Sequence, residues 1–380
     1  MINKKEIQYQ SRLPSMDGLR FIMCLGIACL HFSIYFFSYG GNESNFIGRL
    51  DYFNDVFFMI SGFFLMRSTI YNPSRVANYR QYLFLRFARI YPLYFVTLLY
   101  FIAVSIFANY GYLQPHNPDR YDLGLLWPHI LLIQSWGGFE SLIFNYPTWA
   151  LSALWLMYMV FPIIYLLAKK SKTALGLLIV FSFVVGEFVA RNYCGEVSEL
   201  TRIQRCNLGI LRCFPVFLMG VFLANLRPLN INKLINYTGI VAMIIILFFT
   251  PLFWHGAPRI IFITCLIISI LNADYNGYKF PLSWSKFKHL SQYSYAIFLV
   301  HPIIASVYIS YLLPKLFDLD SLYTSEYSIL YRFLFLVSAL TLSFFTAILS
   351  FHIIEKPAYL YALRFCKINK MTLNPIWKIK

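Results

Sequence analysis

The chain has 380 residues, 59% of them hydrophobic and only 13% charged. Soluble domains run near ~25% charged, so this composition leaves too little polar surface for a water-soluble fold and points to an integral membrane protein. The net charge of +16 does not indicate a nucleic-acid binder, because the basic residues are scattered between apolar runs, as in membrane loops, rather than gathered on one patch.

A bilayer-spanning helix needs about 20 mostly apolar residues. Such segments fall at about 18–39, 52–70, 90–110, 148–168, 173–190, 207–226, 234–254, 257–273, 292–313 and 327–353. The expected fold is all-α, a polytopic bundle of about ten transmembrane helices. Leu125–Trp136 is too short to span. With Pro128 and His129 inside it and Gly137-Gly138 after it, the stretch is expected to be re-entrant or interfacial.

Loop charge sets the orientation. With both termini cytoplasmic, one side collects Lys4, Lys5, Arg12 and Arg20; Arg67, Arg75, Arg80, Arg86 and Arg89; Lys169, Lys170 and Lys172; Arg227 and Lys233; Lys279, Lys286 and Lys288; and the tail lysines. The acids expected there are only Glu6, Asp17, Asp274 and Glu355. Acidic lipid headgroups are the expected counter-charge. The chain divides into a membrane domain, 14–358, and a basic tail, 359–380, with no cleavable leader and no further domain expected. No paired, broken helices mark a transporter built of two halves. The seven cysteines show no metal spacing, and no metal is expected. Cys194 and Cys206 flank a polar loop and could pair in an oxidising compartment.

Candidate chemistry begins in the first span. The step from Arg20 to His31 is close to three helical turns, about 16 Å, so both side chains share a face. A histidine at that depth is costly, titrates near neutrality and can serve as general base. The alternative is a snorkelling arginine and an internally satisfied histidine. In the second span Asp55 lies at the outer edge, and Ser61-Gly62 would admit a close approach of backbone or ligand. Arg86 and Arg89, three apart, share a helical face. Guanidinium groups bind phosphates in two-point geometry, which suits a polyphosphorylated cytosolic donor such as coenzyme A; membrane anchoring is the plainer reading. His301 follows Ser294 and Tyr295 in the ninth span. Trp149, Tyr91 and Tyr158 read first as interface or core aromatics, with sugar stacking the alternative for Trp149. The loop Arg191–Arg205, with Glu196, Glu199, Arg202 and Arg205, could edge a glycan path or simply be solvated. His116, His129, His255, His289 and His352 need no special reading.

Taken in order, these features resemble the membrane acyltransferase-3 family. They are Arg20 with His31, Phe57-Phe58-Met59-Ile60-Ser61-Gly62-Phe63, and Arg86-Phe87-Ala88-Arg89-Ile90-Tyr91-Pro92. Then come Trp149 with Ser152, Tyr158 and Phe161-Pro162; Phe214-Pro215-Val216 with Gly220; Ser294-Tyr295 with His301; and Glu355-Lys356-Pro357. The likeness covers about residues 14–358. It implies a multi-pass O-acyltransferase of the bacterial inner membrane. Such an enzyme uses acyl-CoA, most often acetyl-CoA, as co-substrate with no bound cofactor, and modifies a cell-surface or lipid-linked glycan. Arg20, Arg86 and Arg89 would hold the donor, and His31, Asp55 and His301 would act in catalysis. Ser61, Trp149 and Tyr295 would position substrate. Many members carry two glutamates where this chain has Leu154 and Trp155; Asp55 and Glu187 are the nearest acids that could stand in. A transporter or flippase is the competing reading, and succinyl the competing acyl group.

Overall fold

The computed structural model describes residues 13–37, 47–115, 118–194, 200–226, 229, 231–249, 257–317 and 328–366. Lys4, Lys5, Glu6, Arg12, His116, Glu196, Glu199, Arg227, His255 and the tail from Lys367 lie outside the described residues. The described residues are helical, with no strand among them.

The main helices are α1 (Pro14–Phe36), α2 (Tyr52–Tyr71), α3 (Tyr79–Asn109), the short α4 (Leu126–Ile130), α5 (Trp149–Lys170), α6 (Lys172–Tyr193), α7 (Gly209–Leu223), α8 (Lys233–Phe249), α9 (Ala257–Tyr275), α10 (Phe287–Phe317) and α11 (Ile329–Phe365). α4 apart, each coincides with one of the apolar segments of the sequence. Seven helices are long and apolar enough to cross a membrane: α1, α3, α5, α6, α9, α10 and α11. Of the others, α7 and α8 have 15 and 17 residues, and α2 carries Asp55 and Arg67 within its 20.

Local sequence sets several boundaries. Pro14 opens α1, where a missing N–H costs nothing. The Asn78 side chain caps α3 by accepting from the Gln81 N–H at 3.1 Å. Ser171 ends α5 and caps α6 by accepting from Ala174 N–H at 3.1 Å, folding the two helices back on each other. α2 and α7 form the most intimate pair. A Cβ on Gly62 would strike the Phe217 carbonyl, and one on Gly220 would strike the Met59 carbonyl, so both glycines are required by a backbone crossing.

α1 is central. It packs against α2, α9, α10, α11 and the loop before α10. α10 is not a uniform helix: Pro302 lies inside it, and a π-helical stretch follows at Ala305–Leu312. A second π-helical stretch, Phe351–Glu355, interrupts α11.

The segment after α4 is irregular yet buried; Gln134 and Ser135 are fully enclosed. Backbone of this kind is tolerated at depth only where protein satisfies it. Tyr94 Oη donates to the His129 carbonyl at 2.6 Å and Tyr91 Oη to the Ile130 carbonyl at 2.8 Å. Ser152 Oγ accepts from Ser135 N–H at 3.1 Å, and Trp136 Nε1 donates to the Ser152 carbonyl at 3.0 Å. Gly137 and Gly138, at φ +104° and +78°, turn the chain in the left-handed region. The expected re-entrant stretch is thus a short helix and a buried loop sewn to α3 and α5. His129 is part of that stitching: it is fully buried, with Nε2 3.0 Å from the Glu140 carbonyl.

Candidate active site

α1 and α10 bring two histidines together across the centre of the bundle. His31 Nδ1 lies 2.8 Å from His301 Nε2, and the rings stack at 5.0 Å with 13° between their planes. His301 is fully buried, while His31 keeps partial exposure. The other nitrogen of His301, Nδ1, is 3.2 Å from the Ile297 carbonyl. Next to it is the Phe298 carbonyl, which Pro302 cannot satisfy because it has no N–H.

These contacts fix the protons. A carbonyl only accepts, so His301 Nδ1 carries hydrogen and donates to Ile297. His301 Nε2 is then a lone pair, and it accepts from His31 Nδ1–H. With both rings neutral, His31 Nε2 carries no proton, and no hydrogen-bond partner for it stands among the described residues. That is the arrangement of a general base oriented by a second group. Tyr146 lies edge-on to His31, ring centroids 4.9 Å apart, and Arg120 covers Tyr146 at 4.7 Å. Asp51 and Arg120 are the charged side chains whose fields reach His31.

The arginines lie toward the other end of α1. Arg20 stacks on Phe64 at 5.5 Å, and its field meets that of Arg89. Arg86 is held between Tyr82 and Tyr158, at 5.6 and 5.5 Å from their ring centres. Both Arg20 and Arg89 act on Glu355, which is fully buried and whose two carboxylate oxygens have no hydrogen-bond partner among the described residues. Ser294 Oγ, two turns before His301 on α10, is likewise buried and stands against the Cys24 thiol of α1. The sequence named Glu355 and Ser294 only as parts of a pattern. Tyr295 Oη donates to the Ile90 carbonyl of α3, beside Pro92.

Three further expected site residues are engaged in contacts of their own. Asp55 is fully buried, and both its oxygens are held by arginines. Arg212 Nε donates to Asp55 Oδ1 at 2.7 Å and Arg212 Nη2 to Oδ2 at 3.2 Å. Arg259 Nη2 donates to Asp55 Oδ2 at 2.6 Å. Asp51 joins the cluster through Arg212 and Arg259 at 3.1 Å each, and Gln204 accepts from Arg212 Nη1 at 3.1 Å. Asp55 therefore tethers α2 to α7 and α9 and has no free oxygen to offer a substrate. The signal for its partners was present: Arg212 and Arg259 stand in apolar segments, and buried charges of opposite sign pair. Trp149 is buried under Arg212, 5.6 Å from its guanidinium, with Phe58 edge-on at 5.7 Å, so it packs rather than facing a sugar path. Ser61 Oγ donates back to the Phe57 carbonyl at 2.7 Å, and its neighbour Gly62 makes the helix crossing.

The positions of the absent glutamate pair, Leu154 and Trp155, are core residues. Glu187 pairs with Arg191 on α6 at 3.8 Å and supplies no replacement. Cys194 and Cys206 are free thiols; Cys206 Sγ donates to the Cys194 carbonyl at 3.8 Å. No group of His, Cys, Asp and Glu suited to a metal occurs among the described residues.

Comparison with known proteins agrees with this layout. The acyltransferase-3 family model, described as an acyltransferase domain, matches residues 13–349. The chain is similar to a protein named Acyltransferase MdmB from Streptomyces mycarofaciens, 28% identical over 314 residues, covering 76% of this chain and 78% of that one. No solved structure matches. A helical membrane bundle with a paired-histidine centre, matched by that family model over most of its length, identifies the chain as a member of the acyltransferase-3 family and an acyltransferase.

Proposed function

We propose that the protein transfers an acyl group, acetyl in the first instance, from cytoplasmic acyl-CoA to a hydroxyl of a cell-surface or lipid-linked glycan in the bacterial inner membrane. The observation that carries this reading is the His31–His301 pair on a partly exposed His31 ring, an arrangement that assigns the lone pair of a neutral His31 to Nε2.

Arg20, Arg86 and Arg89 hold the donor phosphates at the cytoplasmic end of α1 and α3. The thioester reaches along α1 toward His31, the ~16 Å that separates Arg20 and His31 on the helix. The acceptor oxygen attacks the thioester carbonyl carbon as its proton passes to His31 Nε2. The His31 imidazolium then keeps its Nδ1–H on His301 Nε2, which disperses the charge. Collapse of the tetrahedral adduct breaks the C–S bond, and the proton on His31 Nε2 passes to the departing sulfur. The products are an O-acyl ester and free coenzyme A thiol, with protons and electrons balanced. His31 contributes roughly 10²- to 10⁴-fold by this transfer. Asp55 has no step in it.

The test uses membranes from cells producing the wild type or His31→Ala, supplied with [¹⁴C]acetyl-CoA. Alkali-labile label in the glycan or lipid-linked sugar fraction is expected with the wild type alone. Equal label from both proteins overturns the assignment. Mass spectrometry of the labelled fraction identifies acyl group and acceptor together.

A further inference from the structure

A cleft of about 640 Å³ opens beside the first turns of α1. It is lined by Lys279, Phe280, Pro281, Ser283, Trp284 and Phe287, all from the α9–α10 connection and the start of α10. None of these residues has a part in the chemistry above.

The cleft is built against α1. Gly18 has no side chain where the Leu282 carbonyl presses on the helix; any Cβ there would collide with it. Phe287, the cleft's inner wall, packs on Phe21 at 6.0 Å, and Phe21 is the immediate neighbour of Arg20. Trp284 stands edge-on to Phe287 at 5.7 Å and is half exposed. Lys286 Nζ lies over the indole at 4.9 Å. Lys279 and Lys286 are exposed, and neither makes an ion pair among the described residues. Lys233 lies over Tyr237, which packs on Phe280. The nearby acids are Asp17 and Asp274, and Asp274 is tied to the Ser15 backbone N–H at 3.0 and 3.1 Å.

A half-exposed indole with Lys286 over one face and Lys279 on the cleft wall, at the same end of α1 as Arg20, matches an aromatic base joined to phosphates. Stacking on an aromatic face takes any base, and lysines take a phosphate as point charges. We propose that this cleft binds the adenosine 3′-phosphate end of the donor, with adenine on Trp284, the ribose phosphate at Lys279 and Lys286, and the diphosphate continuing to Arg20. The inference rests on the acyl-CoA reading and extends it by naming where the nucleotide sits.

The test uses the full-length protein in phosphatidylcholine nanodiscs. Adenosine 3′,5′-bisphosphate is the binding probe, and acetyl-CoA and acetyl-pantetheine are compared as donors. Trp284→Ala is expected to weaken bisphosphate binding about tenfold. It should raise KM for acetyl-CoA by a similar factor at unchanged kcat and move KM for acetyl-pantetheine, which lacks the nucleotide, less than twofold. Trp284→Phe, which keeps a stacking face, should restore most of the loss. Wild-type-like bisphosphate binding by Trp284→Ala overturns the proposal, as does an equal loss with both donors. An effect confined to nanodiscs containing phosphatidylglycerol makes the cleft a lipid headgroup site and also overturns it. If the wild type transfers nothing from acetyl-CoA, the donor reading falls, and bisphosphate binding still decides the cleft on its own.

Discussion

The ion cluster and the histidine pair are both buried polar centres of the bundle, and they differ in one respect. The cluster of Asp51, Asp55, Arg212 and Arg259 is closed: two carboxylates meet two guanidiniums, and both oxygens of Asp55 are taken. The histidine pair is open: three of its four ring nitrogens are engaged, and the fourth, on the partly exposed ring, has no hydrogen-bond partner among the described residues. Burying charge in a membrane is tolerated when every group is paired, and such a closed set holds helices in place. A free lone pair beside a fixed donor chain has a different use, because it can take a proton that arrives with a substrate.

The contrast can be broken from the open side first. His31→Ala should lower acyl transfer by roughly 10²- to 10⁴-fold while leaving the unfolding midpoint in detergent nearly unchanged. A large stability loss with it would place His31 among the structural groups. In the closed cluster the effects should be reversed. Asp55→Ala leaves Arg212 and Arg259 with Asp51 as their one remaining carboxylate and should cost about 3 kcal/mol of stability, read as lower yield and a lower thermal midpoint. Asp55→Leu with Arg212→Met should recover a good part of that loss, since the stranded charge is removed with its partner. If Asp55→Ala were stable and inactive, the carboxylate would belong to the reaction after all.

Smaller effects sharpen the boundary between the centres. His301→Ala removes the acceptor for His31 Nδ1–H and should cost roughly 10–100-fold in rate, as for other groups that orient a functional imidazole. His301→Gln can still accept through its amide oxygen and should retain more activity, measured as kcat under saturating donor. Gly220→Ala forces a methyl against the Met59 carbonyl and should destabilise by about 1–3 kcal/mol. Tyr295→Phe deletes one hydrogen bond to Ile90 and should cost only about 1 kcal/mol, with kcat close to wild type.

The helices were legible because the bilayer demands long apolar runs, and the sequence marks those runs plainly. His31 and His301 were legible singly, as costly residues in apolar surroundings. Their hydrogen bond was not, because it depends on how α1 and α10 are rotated against each other. The ion pairs of Asp55 were hidden for the same reason: an acid in a span signals function until its partners are placed, and Arg212 and Arg259 lie far away in sequence. Ser61-Gly62 and Trp149 had packing readings available, and packing is what they do. Trp284 went unremarked because a tryptophan near a bilayer edge is ordinary in sequence. Its half-exposed setting among lysines emerges only when the α9–α10 connection seats on Gly18.

The hydrogen bond between His31 and His301 joins residues 270 positions apart. During synthesis α1 enters the membrane long before α10 exists, so His31 waits through most of translation without the neighbour that sets its tautomer. A chain released before α10 is complete holds the arginines and the ion cluster but not the histidine pair. On the mechanism proposed above, catalytic competence is then one of the last properties the growing polypeptide acquires, and prematurely terminated copies are silent in the membrane.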